Sequence, residues 1–124
     1  MSVNKYRNIP TEVAGIMFDS RKEARRYSVL LLLERGHKIS NLQRQVSYEL
    51  IPAIYRDEVV HLKTKDKTVQ KCVQKAVHYI ADFVYTDNET GETVVEDTKG
   101  VRTKEYKLKK KMMLAFKGIN IKEV

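Results

Sequence analysis

Among its 124 residues the chain has a single cysteine, Cys72. It therefore holds no internal disulfide and no zinc site of the four-cysteine or two-cysteine, two-histidine kind. A reducing, cytoplasmic compartment is the default expectation for such a chain. No apolar run approaches the ~20 residues of a membrane-spanning helix, and no signal-type apolar segment follows Met1, so a membrane is not an expected partner. There are two prolines and five glycines, no linker-like stretch and no internal repeat. The expectation is one domain over 11–124, preceded by a flexible basic arm over 1–10. Acidic residues are also short: 16 Asp and Glu face 24 Lys and Arg, a net charge of +8. Hydrophobic content of 42% and charged content of 32% fit an ordinary globular domain. The basic excess points to a polyanion, nucleic acid before others.

Thr11 to Phe18 alternates around Ala14-Gly15, as a small hairpin would. Ser20 followed by Glu23 matches a capping box, and predicts a helix over 21–35 with Gly36 just past its end. Ala24, Tyr27, Leu30 and Leu31 share one face of that helix. The period then changes to two. A strand is expected over 44–55, with Val46, Tyr48 and Leu50 on one side. Residues 56–78 read as two arms of a charged ribbon turning at Lys65-Asp66-Lys67. In the next strand, 79–85, Tyr79, Ala81, Phe83 and Tyr85 face one way and Ile80 and Val84 the other, as in a central strand covered on both sides. A turn at 87–91, a strand over 93–99 and a helix over 104–117 follow. Thr103 caps that helix, Gly118 closes it, and Leu108, Met112, Ala115 and Phe116 are its expected core stripe. A last strand is expected over 119–124. The class is α/β, in the order αβββαβ, with a central sheet flanked by helices.

Asp82 sits inside an apolar strand, where a carboxylate is costly unless something pairs with it. Asp97 and Lys99 fall on one face of the following strand, with Glu96 and Thr98 on the other. The turn between makes the two strands antiparallel neighbours, so Asp82 and Asp97 can lie side by side. Two adjacent carboxylates repel, and a hard cation such as Mg²⁺ resolves that conflict. Lys99 would then stand beside the ion, able to orient a water. Glu23 lies on the inner stripe of the first helix, though it is also the third position of the capping box. Glu96 points away, as a solvated or helix-pairing residue. His37, His61 and His78 lie on separate elements and make no metal-ligand spacing with Cys72.

A helix with an inward Glu, an Asp in the second strand and Asp-x-Lys in the third resembles the PD-(D/E)XK nuclease superfamily. The stretches FDSRKEARRY, YIADFVY and VVEDTKGVRTKEYKLKKK resemble a small phage- and prophage-encoded endonuclease family. Its Phe-x-Ser-x-x-Glu start is similar to that of transposon-end nuclease subunits and Holliday-junction resolvases. The resemblance covers about residues 4–124, with Ala81 in place of the nominal Pro before Asp82. It implies a restriction-endonuclease-like fold and Mg²⁺- or Mn²⁺-dependent hydrolysis of DNA phosphodiesters. It makes Asp82, Asp97 and Glu23 the metal-site acids, Lys99 the catalytic lysine and Gln45 a supporting residue. It also implies a bacterial host cell, a phage or prophage origin and a homodimer acting on branched or recombination DNA.

The segment 99–111 carries seven Lys and Arg against Glu105. Arg102, Lys104, Lys107 and Lys111 are the expected phosphate contacts, the first two beside a helix N-terminus that itself attracts anions. Two other function classes share these features. One is a basic nucleic-acid-binding module that has lost catalysis on the same scaffold; the other is an assembly protein whose charge serves solubility.

Overall fold

The computed structural model describes residues 10–124, so the expected arm over 1–10 lies outside the described residues apart from Pro10. The chain runs through β1 (Thr11–Val13), β2 (Ile16–Phe18), α1 (Arg21–Arg35), β3 (Ile39–Ile51), β4 (Ile54–His61), β5 (Asp66–Gln74), β6 (Val77–Asp87), β7 (Thr93–Asp97), α2 (Lys104–Lys117) and β8 (Lys122–Glu123). The central sheet has the order β3-β6-β7-β8. Its first three strands are antiparallel, and β8 returns parallel to β7 after α2, which makes the sheet mixed. With α1 before it and α2 inserted ahead of β8, the core has the αβββαβ order read from the sequence. β1–β2 and β4–β5 are separate two-stranded ribbons.

Local chemistry explains most boundaries. Ala14 and Gly15 both take positive φ, the geometry a two-residue hairpin turn demands. Ser20 Oγ accepts the Glu23 N–H at 3.2 Å, and Thr103 Oγ1 accepts the Tyr106 N–H at 3.1 Å, so both expected N-caps form. Gly118 takes the left-handed cap of α2. At the end of α1, however, Gly36 keeps φ −81° and His37 carries the left-handed turn at φ 57°. The β3 strand begins five residues earlier than the alternation suggested. The ribbon turn closes through Leu62 N–H on the Lys65 carbonyl, just before Lys65-Asp66-Lys67.

The sheet separates two apolar clusters. Phe18, Ala24, Leu30, Ile39, Phe83 and Tyr85 form the one under α1. Leu50, Tyr79, Ala81, Val84, Val95, Tyr106, Met113 and Ile121 form the one under α2. Val94 packs in the first and Val95 in the second, as alternation across a sheet requires.

Two expectations about faces are corrected. Tyr79 and Ala81 lie in the α2 cluster but Phe83 and Tyr85 in the α1 cluster, so these four do not share a face. The same change occurs in β3. Leu42 packs in the α1 cluster and the Arg44 guanidinium lies 4.4 Å above the Phe18 ring, whereas Val46, Tyr48 and Leu50 belong to the α2 side. Both strands therefore switch sides at one level, Gln45 opposite Asp82, and Gln45 takes φ 51°. A left-handed residue rotates the following side chains, which no count of alternating residues reveals. Ile80, expected to be covered, is 54% exposed.

The second correction concerns α2. Its buried residues are Tyr106 and Met113, while Leu108 and Phe116 are 54% and 60% exposed and Ala115 is also exposed. Lys109 and Lys110 line the half-buried side, laying their stems on the core and sending the ammonium groups to Glu105 and Glu123.

Candidate active site

The face switch brings chemistry to one place. Asp82, on the central strand, leaves the regular alternation at this level. Its Oδ2 accepts both the Thr98 N–H (2.9 Å) and the Thr98 hydroxyl (2.8 Å). The side-chain amide of Gln45 reaches from β3, 3.5 Å from Asp82 Oδ1, and donates to Glu23 Oε1 of α1 at 3.3 Å. Glu23 does not close the capping box back onto Ser20. Its carboxyl is turned to the sheet instead.

Asp97 ends β7 with its side chain only 1% exposed. Tyr79, three residues before Asp82 on β6, donates its hydroxyl to Asp97 Oδ2 in a short hydrogen bond. Asp97 Oδ1 is buried and accepts no hydrogen bond among the described residues. The Lys99 ammonium stands 3.3 Å from it and 4.6 Å above the Tyr106 ring. Lys99 lies past the end of β7, so an irregular turn rather than strand alternation sets it beside Asp97. Lys22 of α1 donates to the Lys99 carbonyl at 2.9 Å and fastens that turn.

The electrostatics follow from burial. Desolvation pushes the Glu23 carboxyl up to about 7, with the Asp82 charge adding to it and Arg44 opposing it. Burial pushes Asp97 up to about 6; the Tyr79 hydrogen bond holds it down, and the facing Asp82 raises it further. Burial and the Asp97 carboxylate raise the Tyr79 hydroxyl above its ordinary range, so it remains a donor. The site thus concentrates negative charge that the protein's own cations only partly offset.

Glu96, next in sequence, is spent differently. It is fully buried on the α1 side, where Arg26 grips both oxygens at 2.7 and 2.6 Å and the Tyr85 hydroxyl adds a short hydrogen bond. It is helix-pairing, as one expectation held, and not solvated.

Asp82 Oδ1 meets only the long Gln45 contact at 3.5 Å, and Asp97 Oδ1 only the Lys99 ammonium at 3.3 Å, so the two acids keep coordination capacity that fits a hard divalent cation holding several waters. Among the described residues, no three or more His, Cys, Asp or Glu side chains are grouped closely enough to enclose an ion. The structure accordingly brings Glu23, Gln45, Asp82, Asp97 and Lys99 together, but with Glu23 behind the Gln45 amide rather than in a three-carboxylate set. Beside Lys99 a depression of about 260 Å³ is lined by Tyr79, Ile80, Thr103 and Tyr106 among others.

The expected phosphate contacts divide. Lys104, Lys107 and Lys111 are exposed along one side of α2. Arg102 is exposed too, yet its Nε lies 2.9 Å from Glu123 Oε2, so it is partly held within the fold. Sequence reasoning missed Tyr79 and Thr98, the two residues that orient the aspartates. Tyr79 looked like core, and Thr98 was assigned to the far face by an alternation that stops at Asp97.

A family model described as a protein of unknown function, DUF1064, matches residues 3–123. The chain belongs to this family. No curated protein and no solved structure matches it. For this member of DUF1064, every residue of the cluster, from Glu23 to Lys99, falls inside the matched span.

Proposed function

We propose that this chain is a metal-dependent DNA endonuclease of the PD-(D/E)XK kind, phage- or prophage-encoded, with branched or recombination and replication DNA in the cytoplasm of a bacterial host cell as its setting. The observation that carries the reading is the convergence of Asp82, Asp97 and Lys99, with Asp97 Oδ1 buried and, among the described residues, without a hydrogen bond. A buried carboxylate oxygen that meets only the flanking Lys99 ammonium at 3.3 Å keeps lone-pair capacity for a further cation.

Asp82 and Asp97 would hold Mg²⁺ or Mn²⁺. When bound, such an ion supplies positive charge to the scissile phosphate and acidifies a water. The chain's own residues do the remainder. Thr98 and Tyr79 fix the two carboxylates in place. Lys99, held by Asp97 and the Tyr106 ring, orients the attacking water through its ammonium group and offsets charge developing on the phosphate. Gln45 ties Glu23 to Asp82, so α1 keeps its distance from the sheet. Lys104, Lys107 and Lys111 hold the DNA backbone through their charge. Cutting both strands of a branch needs two such sites, which a homodimer supplies.

The test is cleavage of plasmid and four-way-junction DNA with Mg²⁺, by wild type, Asp97→Ala and Lys99→Ala. Cleavage by wild type alone supports the reading, and equal activity in all three rejects it. Salt-sensitive binding with no cleavage by wild type would favour the inactive binding module instead.

A further inference from the structure

The β4–β5 ribbon takes no part in the site just described, and it is hard to explain as structure. Among the described residues it pairs only with itself and is not hydrogen-bonded to any other strand. All of β4 and nearly all of β5 are exposed. A lone two-stranded ribbon is marginally stable in water, so eight cross-strand pairs standing free need a reason.

The ribbon is the outer continuation of the β3–β6 hairpin. The ladder breaks at Pro52-Ala53 on one strand and Lys75-Ala76 on the other, and resumes beyond. Proline lacks the N–H that a ladder needs, which places the break there. The inner part of this hairpin carries Gln45 and Asp82.

Its charges are sorted by face. Cross-strand partners point to the same side. Arg56 pairs with Lys71, Glu58 with Val69 and Val60 with Lys67, so one face holds three cations and a single acid. That acid, Glu58, lies 3.8 Å from Lys71. Asp57 and Asp66 fall on the other face, across from Gln70 and His61. Lys63 and Lys65 are exposed at the tip. In a chain of net charge +8, a cationic face repels a second copy and complements a polyanion.

We propose that this ribbon is an arm that grips duplex DNA by its phosphates, through the Arg56, Lys67 and Lys71 face, about one helical turn from the bond that is cut. A two-stranded ribbon fits the major groove. From Asp82 back to Lys71 the chain advances eleven residues in nearly extended form, at most about 36 Å at 3.3 Å per residue. One turn of duplex is about 34–36 Å. The position of the cut rests on the endonuclease reading, but the binding surface does not.

The test uses a labelled 30-base-pair duplex in EDTA, with fluorescence anisotropy measured across a salt series. R56E/K67E/K71E should bind the 30-mer at least tenfold more weakly than wild type. Its slope of log K against log salt should fall by about 2.7, from three phosphate contacts at about 0.9 each. If the reversed charges disturb folding, R56Q/K67Q/K71Q is read instead, with the same fall in slope. Equal 30-mer affinity and slope overturns the proposal. So does a change in sedimenting mass with the slope intact, which would make the ribbon a contact between copies. Because no metal or cleavage enters the assay, failure of the nuclease reading would appear separately, as an uncut substrate with arm binding unaffected.

Discussion

Gln45 stands across from Asp82 in the β3–β6 ladder, its amide nitrogen 3.5 Å from Asp82 Oδ1 and its own backbone left-handed at φ 51°. At this level both strands exchange one apolar cluster for the other. The pairing explains why an acid can lie in the middle of an apolar strand: the position belongs fully to neither face.

The backbone makes one prediction independent of function. At a left-handed position alanine is strained and glycine is not, a difference of about 1 kcal/mol. Urea denaturation should therefore find Gln45→Gly more stable than Gln45→Ala. In an ordinary strand interior the order is reversed.

Thr98 offers two donors to one oxygen of Asp82. Removing the hydroxyl frees Asp82 to turn, and losses of this type run about 10- to 100-fold. Thr98→Val should lower Mg²⁺-dependent cleavage by that factor, and Thr98→Ser should restore it. Matching rates for the Val and Ser variants would remove Thr98 from the account.

Glu96 and Arg26 form a buried pair on the opposite face. Arg26→Ala strands a fully buried carboxylate and should cost about 3–5 kcal/mol in urea denaturation. Combining Arg26→Met, Glu96→Leu and Tyr85→Phe should recover most of that loss, because no charge or donor is then left unpaired.

Glu23 and Asp97 give the metal-free protein a signature in pH. Both carboxyls titrate higher in the folded state, about 7 against 4.5 and about 6 against 3.8. The folded state therefore binds more protons, and this contribution to stability is present at about pH 4 and lost as pH rises through 6 and 7. In EDTA, Tm should fall between pH 5 and pH 8, and the fall should shrink in Glu23→Gln/Asp97→Asn. A divalent cation should reduce it in wild type.

Much of this was legible beforehand. Ser20, Thr103 and Gly118 marked helix ends with local hydrogen-bond chemistry, which needs no tertiary context. Asp82 and Asp97 stood out because costly charges lay in apolar strands, whereas Glu23 was read from the inner stripe of its helix and Lys99 from its Asp-x-Lys spacing. What escaped depended on departures from a regular period. At the level of the left-handed Gln45 both strands change sides, which puts Phe83 and Tyr85 on the other side of the sheet from Tyr79. The end of β7 at Asp97 turned Thr98 toward Asp82. In α2, two apolar stripes competed, and lysine stems lying beside Tyr106 and Met113 disguised the one that is buried.

The central claim is that Asp82 and Asp97 would together hold a divalent cation. Calorimetric titration of Mn²⁺ into the protein, without DNA, addresses it directly. The account predicts saturable binding by wild type that is abolished in both Asp82→Asn and Asp97→Asn and retained in Glu96→Gln. Binding of equal strength in wild type and both asparagine variants would contradict it.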